Sequence, residues 1–246
     1  AEEAAIKDLV RERNPIGIAQ LDFFTEVENV RVAFGKLINC PAANVALVPS
    51  TSYGFSSVLN NVIAKPKGNV ITIKDEFPSG YFALEKWARD HGNELRIIGP
   101  DENDSQMGPS WNRNILDAID DQTSVVLMSS IHWMKGLKVD LMQIGEKCKT
   151  VGAKLIVDGS QSVGALEMDV AVYQIDALVC ASYKWLFGAY SVALAYFSDD
   201  FQNGTPLEES WMNRTNAKDF TSLANYEAAY TPHAGRYNVG EASSFM

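Results

Sequence analysis

The chain has 246 residues, 46% of them apolar, enough for one large domain with a core of its own. Thirty-one acidic against 21 basic residues give a net charge of −10, which excludes a partner held through its phosphate backbone, since such binding needs clustered Lys and Arg. The three cysteines, Cys40, Cys148 and Cys180, are odd in number, far apart and without a CxxC, and read as reduced packing thiols of a cytoplasmic protein rather than a disulfide frame or zinc site.

In chain order, the N-terminal AEEAAIKDLVRERN is charged and of helical period, unlike a signal segment, and no later run reaches the roughly 18 to 20 apolar residues of a membrane span. Strands are predicted at VALVP (45–49), NVITI (69–73), ELRII (94–98), SVVLMS (124–129), KLIVD (154–158), ALVCA (177–181) and VALAYF (192–197). Between most of them lie amphipathic helical stretches. SGYFALEKWARDHG turns Tyr81, Leu84 and Ala88 to one side, and LMQIGEKCKTVG does the same with Leu141, Ile144, Gly145 and Cys148.

This alternation implies a three-layer α/β sandwich around a mainly parallel, seven-stranded sheet. About ten residues separate the last two strands, fewer than a parallel crossover needs, so the seventh strand should run antiparallel. From about residue 199 the pattern becomes irregular. The expected division is a large domain over 1–200 and an exit segment over 201–246. The chain opens without methionine inside a helical pattern and stops at SSFM, which reads as a piece of a longer protein.

In open α/β sheets, ligands collect at the carboxyl ends of the parallel strands. Three such ends carry polar residues. After VALVP come Ser50, Thr51 and Ser52 opening a helix, whose hydroxyls, free N–H groups and dipole suit an anion, although a plain N-cap is the commoner reading. After KLIV comes Asp158, either an N-cap or a buried carboxylate held for a partner charge. After ALVCA come Tyr183 and Lys184, and most lysines are solvated. Together, an amine, a carboxylate and an anion cradle are the parts that hold pyridoxal phosphate. A nucleotide-binding α/β protein is disfavoured, because no strand is followed by GxGxxG or GxxxxGK[ST].

IVDGSQSVGALEMDV followed by DALVCASYKWLFG is similar to the Asp-x-x-Gln and His/Tyr-Lys-Trp/Tyr-Leu signature of the class V aminotransferase and cysteine desulfurase-like family of fold-type I pyridoxal-phosphate enzymes. The resemblance covers roughly residues 20–245. It implies that Lys184 forms the Schiff base and later moves the Cα proton, that Asp158 pairs with the pyridine nitrogen, and that Gln161 bonds the cofactor's 3-oxygen. Thr51, Ser52 and Tyr183 match phosphate ligands. Phe77, in DEFPSG, stands where the family often stacks a histidine on the ring.

Departures from the family pattern are also visible. Ala181 replaces a serine found in many desulfurases, with Ser182 beside it, and Trp133 or His132 stands where desulfurases place an asparagine. The tail GRYNVGEASSF resembles a segment that crosses a homodimer interface, with Ser243 or Ser244 reaching the neighbouring phosphate. The family's C-terminal small domain, with its substrate-carboxylate arginine and the desulfurase cysteine, is absent from this chain. The resemblance thus implies a cofactor enzyme acting on a small amino acid, read first as an aminotransferase. A lyase, desulfurase or epimerase of the same family, and a truncated homologue with only a binding role, are the alternatives. Neither a metal nor a membrane is expected.

Overall fold

In the computed structural model the described residues are 13–101, 103–240 and 242, with residues 3, 6, 7, 9 and 10. Five helices and seven strands carry the architecture among them: α1 (Asp22–Leu37), β1 (Val45–Val48), α2 (Thr51–Leu59), β2 (Asn69–Ile73), α3 (Pro78–His91), β3 (Glu94–Ile98), α4 (Met107–Ala118), β4 (Thr123–Ser129), α5 (Leu141–Val151), β5 (Lys154–Asp158), β6 (Ala177–Ala181) and β7 (Ala193–Phe197).

The strands form one sheet in the order β1-β7-β6-β5-β4-β2-β3. β7 pairs antiparallel with both β1 and β6, and every other pairing is parallel. The expected fold class is therefore observed, with β7 as the reversed strand and the carboxyl ends of β1 to β6 on one edge.

The strands read as unbroken apolar runs because both faces are covered. In β4, Val126 and Met128 join one core with Phe34 of α1, Ile115 of α4 and Ile144 of α5, while Val125 and Leu127 join the other with Phe55 of α2 and Leu84 of α3. Leu141, Ile144, Gly145 and Cys148 are the buried face of α5, as the period predicts. On α3, Leu84 and Ala88 are buried, and Tyr81 is half-buried.

The chain beyond β7 returns to the sheet. Leu47 N–H of β1 donates to Asn238 Oδ1 at 2.8 Å, and Val239 N–H donates to Leu47 O at 2.8 Å, so this segment satisfies backbone groups along the β1 edge.

One glycine decides where the site forms. A Cβ on Gly54 would lie 2.6 Å from Val179 Cγ1 of β6, so only glycine lets α2 lie this close to the sheet. Replacing a mid-helix glycine by alanine gains at most about 1 kcal/mol of helix propensity. The overlap with a stiff β-branched side chain costs about 1–3 kcal/mol. Gly54→Ala should therefore lower stability in urea denaturation, and adding Val179→Ala should recover part of the loss; additive losses would contradict the contact.

Candidate active site

The polar residues at the strand ends fall on the carboxyl edge shared by β1 to β6. Asp158 closes β5 with its side chain turned inward and is 6% exposed. Ser160 supports the carboxylate with its backbone N–H, 2.8 Å from Oδ1, and with its hydroxyl, while Ser160 Oγ accepts from Ala181 N–H of β6 at 3.0 Å. On the other side, Ser130 donates to Asp158 O from its N–H (3.1 Å) and from its hydroxyl (3.2 Å). The Ser130 and Ser162 hydroxyls meet at 2.7 Å. Small hydroxyl residues thus lock together the ends of β4, β5 and β6.

Burial raises the pKa of Asp158 above the ordinary carboxylate range, against the opposing pull of Ser160 and of the Lys184 charge. No side-chain cation lies within ion-pair distance of it among the described residues.

Lys184 follows β6 in a tight turn, in which Gly188 N–H donates to Ser182 O at 2.9 Å and Phe187 takes a left-handed φ of 54°. The lysine is half-buried, and its ammonium lies over the Phe77 ring, 5.5 Å from the centroid. Phe77 precedes Pro78 at the start of α3 and meets Trp133 edge to face, with centroids 5.6 Å apart and planes at 89°. Trp133 is fixed by its indole N–H, which donates to Asp75 O at 2.8 Å. Lys184, Phe77 and Trp133 therefore make one cluster, and the Lys184 charge reaches Asp158.

Thr51 and Ser52 occupy the first turn of α2, where Ser50 Oγ accepts from Tyr53 N–H at 3.1 Å as the N-cap. Because Gly54 seats α2 on Val179 of β6, this turn lies at the end of the strand that leads to Tyr183 and Lys184. Ser52 Oγ is 3.0 Å from Ser79 Oγ, which ties the N-termini of α2 and α3. Tyr183 stacks on Tyr190 at 4.3 Å with planes 15° apart. Gln161 is half-buried three residues after Asp158, in the link from β5 to β6. Ser243 and Ser244 lie outside the described residues.

The structure separates Trp133 from His132. His132 is 1% exposed and packs on Trp111; its Nδ1 accepts from Met134 N–H (3.3 Å) and Lys135 N–H (3.2 Å), so its proton sits on Nε2, 3.1 Å from Lys74 O. It is an internal strut of the loop that presents Trp133. Ser182 is likewise committed: its hydroxyl lies 2.7 Å from Ala189 O and 2.8 Å from Val192 O, facing its own turn rather than standing in for a hydroxyl at Ala181.

The sequence reading missed Glu76, Ser129, Ser130, Ser160 and Ser162, all buried at the same edge. For the serines the signal was the small hydroxyl residues at the ends of two apolar strands; Glu76 carried none. It missed Ser79, whose partner Ser52 is 27 residues away, and Tyr190, which the turn after β6 folds back onto Tyr183. Among the described residues, no group of three or more His, Cys, Asp or Glu could hold a metal, and no helix is long and apolar enough to cross a membrane.

A family model described as aminotransferase class-V matches residues 16–245. The chain belongs to that family. It is 26% identical to an uncharacterised aminotransferase of Bacillus subtilis, over 87% of this chain and 54% of the relative. It is 25% identical to a probable cysteine desulfurase of Methanothermobacter thermautotrophicus, over 90% of this chain and 56% of the relative. The chain thus spans about half the length of these curated relatives.

Among solved structures, the cystine C–S lyase C-DES in complex with cysteine persulfide superposes with a TM-score of 0.80 at 20% identity, covering 99% of this chain and 64% of that one. A C-DES mutant with glycine covalently linked to its PLP cofactor gives 0.81 at 18% identity, covering 99% of this chain and 63% of that one. At these identities the likeness concerns the fold.

Two measurements follow from the site. Burial holds all three thiols protonated: Cys40 and Cys148 are pushed up to about 12, and Cys180 is raised as well. In folded protein at about pH 8, near the ordinary thiol pKa, iodoacetamide should leave these three peptides largely unmodified, with full labelling in urea, read by mass spectrometry. Fast native labelling of any of them would contradict this account.

Asp158 has a folded pKa above its unfolded one, so its burial penalty is present at high pH and is relieved as pH falls through the folded value toward about 4. In cofactor-free protein, the stability of Asp158→Asn minus that of wild type should rise as the pH is raised from about 4, the unfolded value, through the higher folded one, read in urea melts. A flat difference would show that the carboxylate is not desolvated.

Proposed function

We propose that this chain is the cofactor-holding part of a pyridoxal-phosphate enzyme that acts on a small amino acid, with Lys184 as the amine to which the cofactor is attached. The observation that carries the reading is the buried Asp158 carboxylate, which has no ion-pairing side chain among the described residues and stands beside a lysine ammonium over an aromatic ring. A desolvated carboxylate is costly without a partner charge, and a protonated pyridine nitrogen supplies one. The residues present therefore fit the cofactor.

When bound, pyridoxal phosphate supplies an electron sink for charge developing at the substrate's Cα. Asp158 keeps the pyridine nitrogen protonated. Phe77 offers a flat apolar face to the ring, and Trp133, packed edge-on, holds that face in place. Gln161 donates to the 3-oxygen. Thr51 and Ser52, with the first N–H groups of α2, hold the phosphate, and Tyr183 adds its hydroxyl. Lys184 would carry the cofactor on its Nζ and, when that amine is free, would hold and move the Cα proton there. Ser243 or Ser244, which lie outside the described residues, would reach the phosphate of a second copy if the protein forms the homodimer with shared active sites that the resemblance implies.

Amino-group transfer is the reaction we favour. Lys184, over the Phe77 ring and beside Asp158, can take up a proton and return it on its own side of the site, which is what amino-group transfer requires. A lyase is the second reading, favoured by the probable cysteine desulfurase among the relatives. The intact pair of Lys184 and Asp158 speaks against a homologue that only binds.

Borohydride reduction of the full-length protein after addition of pyridoxal phosphate should leave a pyridoxyl group on Lys184, found by peptide mass spectrometry. Lys184→Ala should fold and carry no adduct. Asp158→Asn should retain cofactor while turnover falls at least about a hundredfold, because a neutral amide no longer favours the protonated ring. Ketone product from an amino donor and a 2-oxo acid acceptor supports transfer; sulfide or pyruvate from cysteine or cystine supports the lyase. An adduct elsewhere, or normal turnover in Asp158→Asn, would overturn the assignment.

A further inference from the structure

The turn from β2 to α3 carries Phe77, and one segment, residues 129–133, grips three consecutive residues of that turn. Lys74 O accepts from His132 Nε2–H at 3.1 Å, and Asp75 O accepts from Trp133 Nε1–H at 2.8 Å. Glu76 then closes the grip with its carboxylate. Its Oε2 accepts from Ser129 N–H at 2.6 Å, and its Oε1 accepts from the Ser129 hydroxyl and from Phe77 N–H at 2.6 Å. Asp75 sits in the left-handed region at φ 57°, a conformation uncommon for a residue with a Cβ, so the turn needs outside support.

Glu76 is 7% exposed, and its carboxylate oxygens face Ser129 and Phe77. What it joins is informative. Ser129, its donor, is the register partner of Asp158 across β4 and β5, and the next residue, Ser130, bonds Asp158 O. The strand end that fixes Asp158 is thus the one that Glu76 uses to hold Phe77.

We propose that Glu76 is a positioning residue that sets the Phe77 ring relative to Asp158, and so fixes the plane in which pyridoxal phosphate lies between them. This rests on the cofactor reading above. The donor pattern requires a carboxyl group rather than an amide. In either orientation of a glutamine at this position, its NH2 would face a backbone N–H, that of Ser129 or that of Phe77, and one donor would lose its acceptor.

The test uses the full-length protein, wild type and Glu76→Gln, with the cofactor dissociation constant and the visible circular dichroism per bound cofactor as readouts. The visible signal depends on how the ring is seated, which a change in global stability alone does not move. Glu76→Gln should fold, bind pyridoxal phosphate about tenfold more weakly and lose at least about half of the visible signal, because a buried charge-assisted hydrogen bond has been broken.

Wild-type affinity and wild-type visible signal in Glu76→Gln would overturn the proposal. If that variant is insoluble, Ser129→Ala, which removes one hydroxyl and keeps both backbone donors, decides instead: a smaller loss in the same two readouts is expected, and no change in either overturns it. Absence of a Lys184 adduct in wild type would instead sink the cofactor reading itself, so the two failures are distinguishable.

Discussion

The carboxylate of Asp158 is the constraint around which the edge of the sheet is built. A desolvated acid costs several kcal/mol unless it is hydrogen-bonded and paired, so its neighbours are not free to be ordinary core residues. Apolar positions give way to serine on both sides of β5: Ser130 holds its backbone, Ser160 holds its carboxylate, and Ser162 closes the circuit to Ser130. These residues are small enough to sit where three strand ends converge, and each hydroxyl both donates and accepts.

Topology places the remaining parts without any of them being close in sequence. Six strands point their carboxyl ends to one edge, and β7 turns back between β1 and β6. That reversal leaves β1 a strand away from β6, too far for its terminal loop to serve the same site directly. The contact of Gly54 with Val179 closes the distance by seating α2 over β6, so that a helix rooted on β1 opens beside the residues that follow β6. Close packing at one glycine thus governs where an anion-binding helix start can act.

Much of this was legible in the sequence, for identifiable reasons. The strands were readable because burial on both faces makes each a continuous apolar run, and the reversal of β7 because ten residues cannot carry a parallel crossover. Their ends are observed within one residue of the reading. Asp158 and Lys184 stood out as polar residues at the ends of such runs. What was not legible depends on contacts between distant segments. Glu76 looks like any acidic residue in KDEF until the β4 end is placed beside it, and the choice between His132 and Trp133 turns on which side chain the loop faces inward. The return of residues 238 and 239 to β1 lies in the same class, since nothing local in that irregular stretch announces a partner some 190 residues earlier.

The chemistry available at this edge is narrow. His132, the titratable ring nearest the site in sequence, is consumed by three backbone hydrogen bonds, and the residue that stacks over Lys184 is a phenyl ring with no proton to give. Asp158 and Glu76 are acids raised by burial and committed to N–H donors. Cys148 and Cys180 are buried in the core, and Cys40 is half-buried at its margin. The Lys184 ammonium, by contrast, lies over the Phe77 ring and forms no ion pair among the described residues. Phe77 thus sets a flat apolar face, and no titratable group, against the Lys184 ammonium, and the loop that carries the buried His132 props that face through Trp133 instead of adding a second charge beside it.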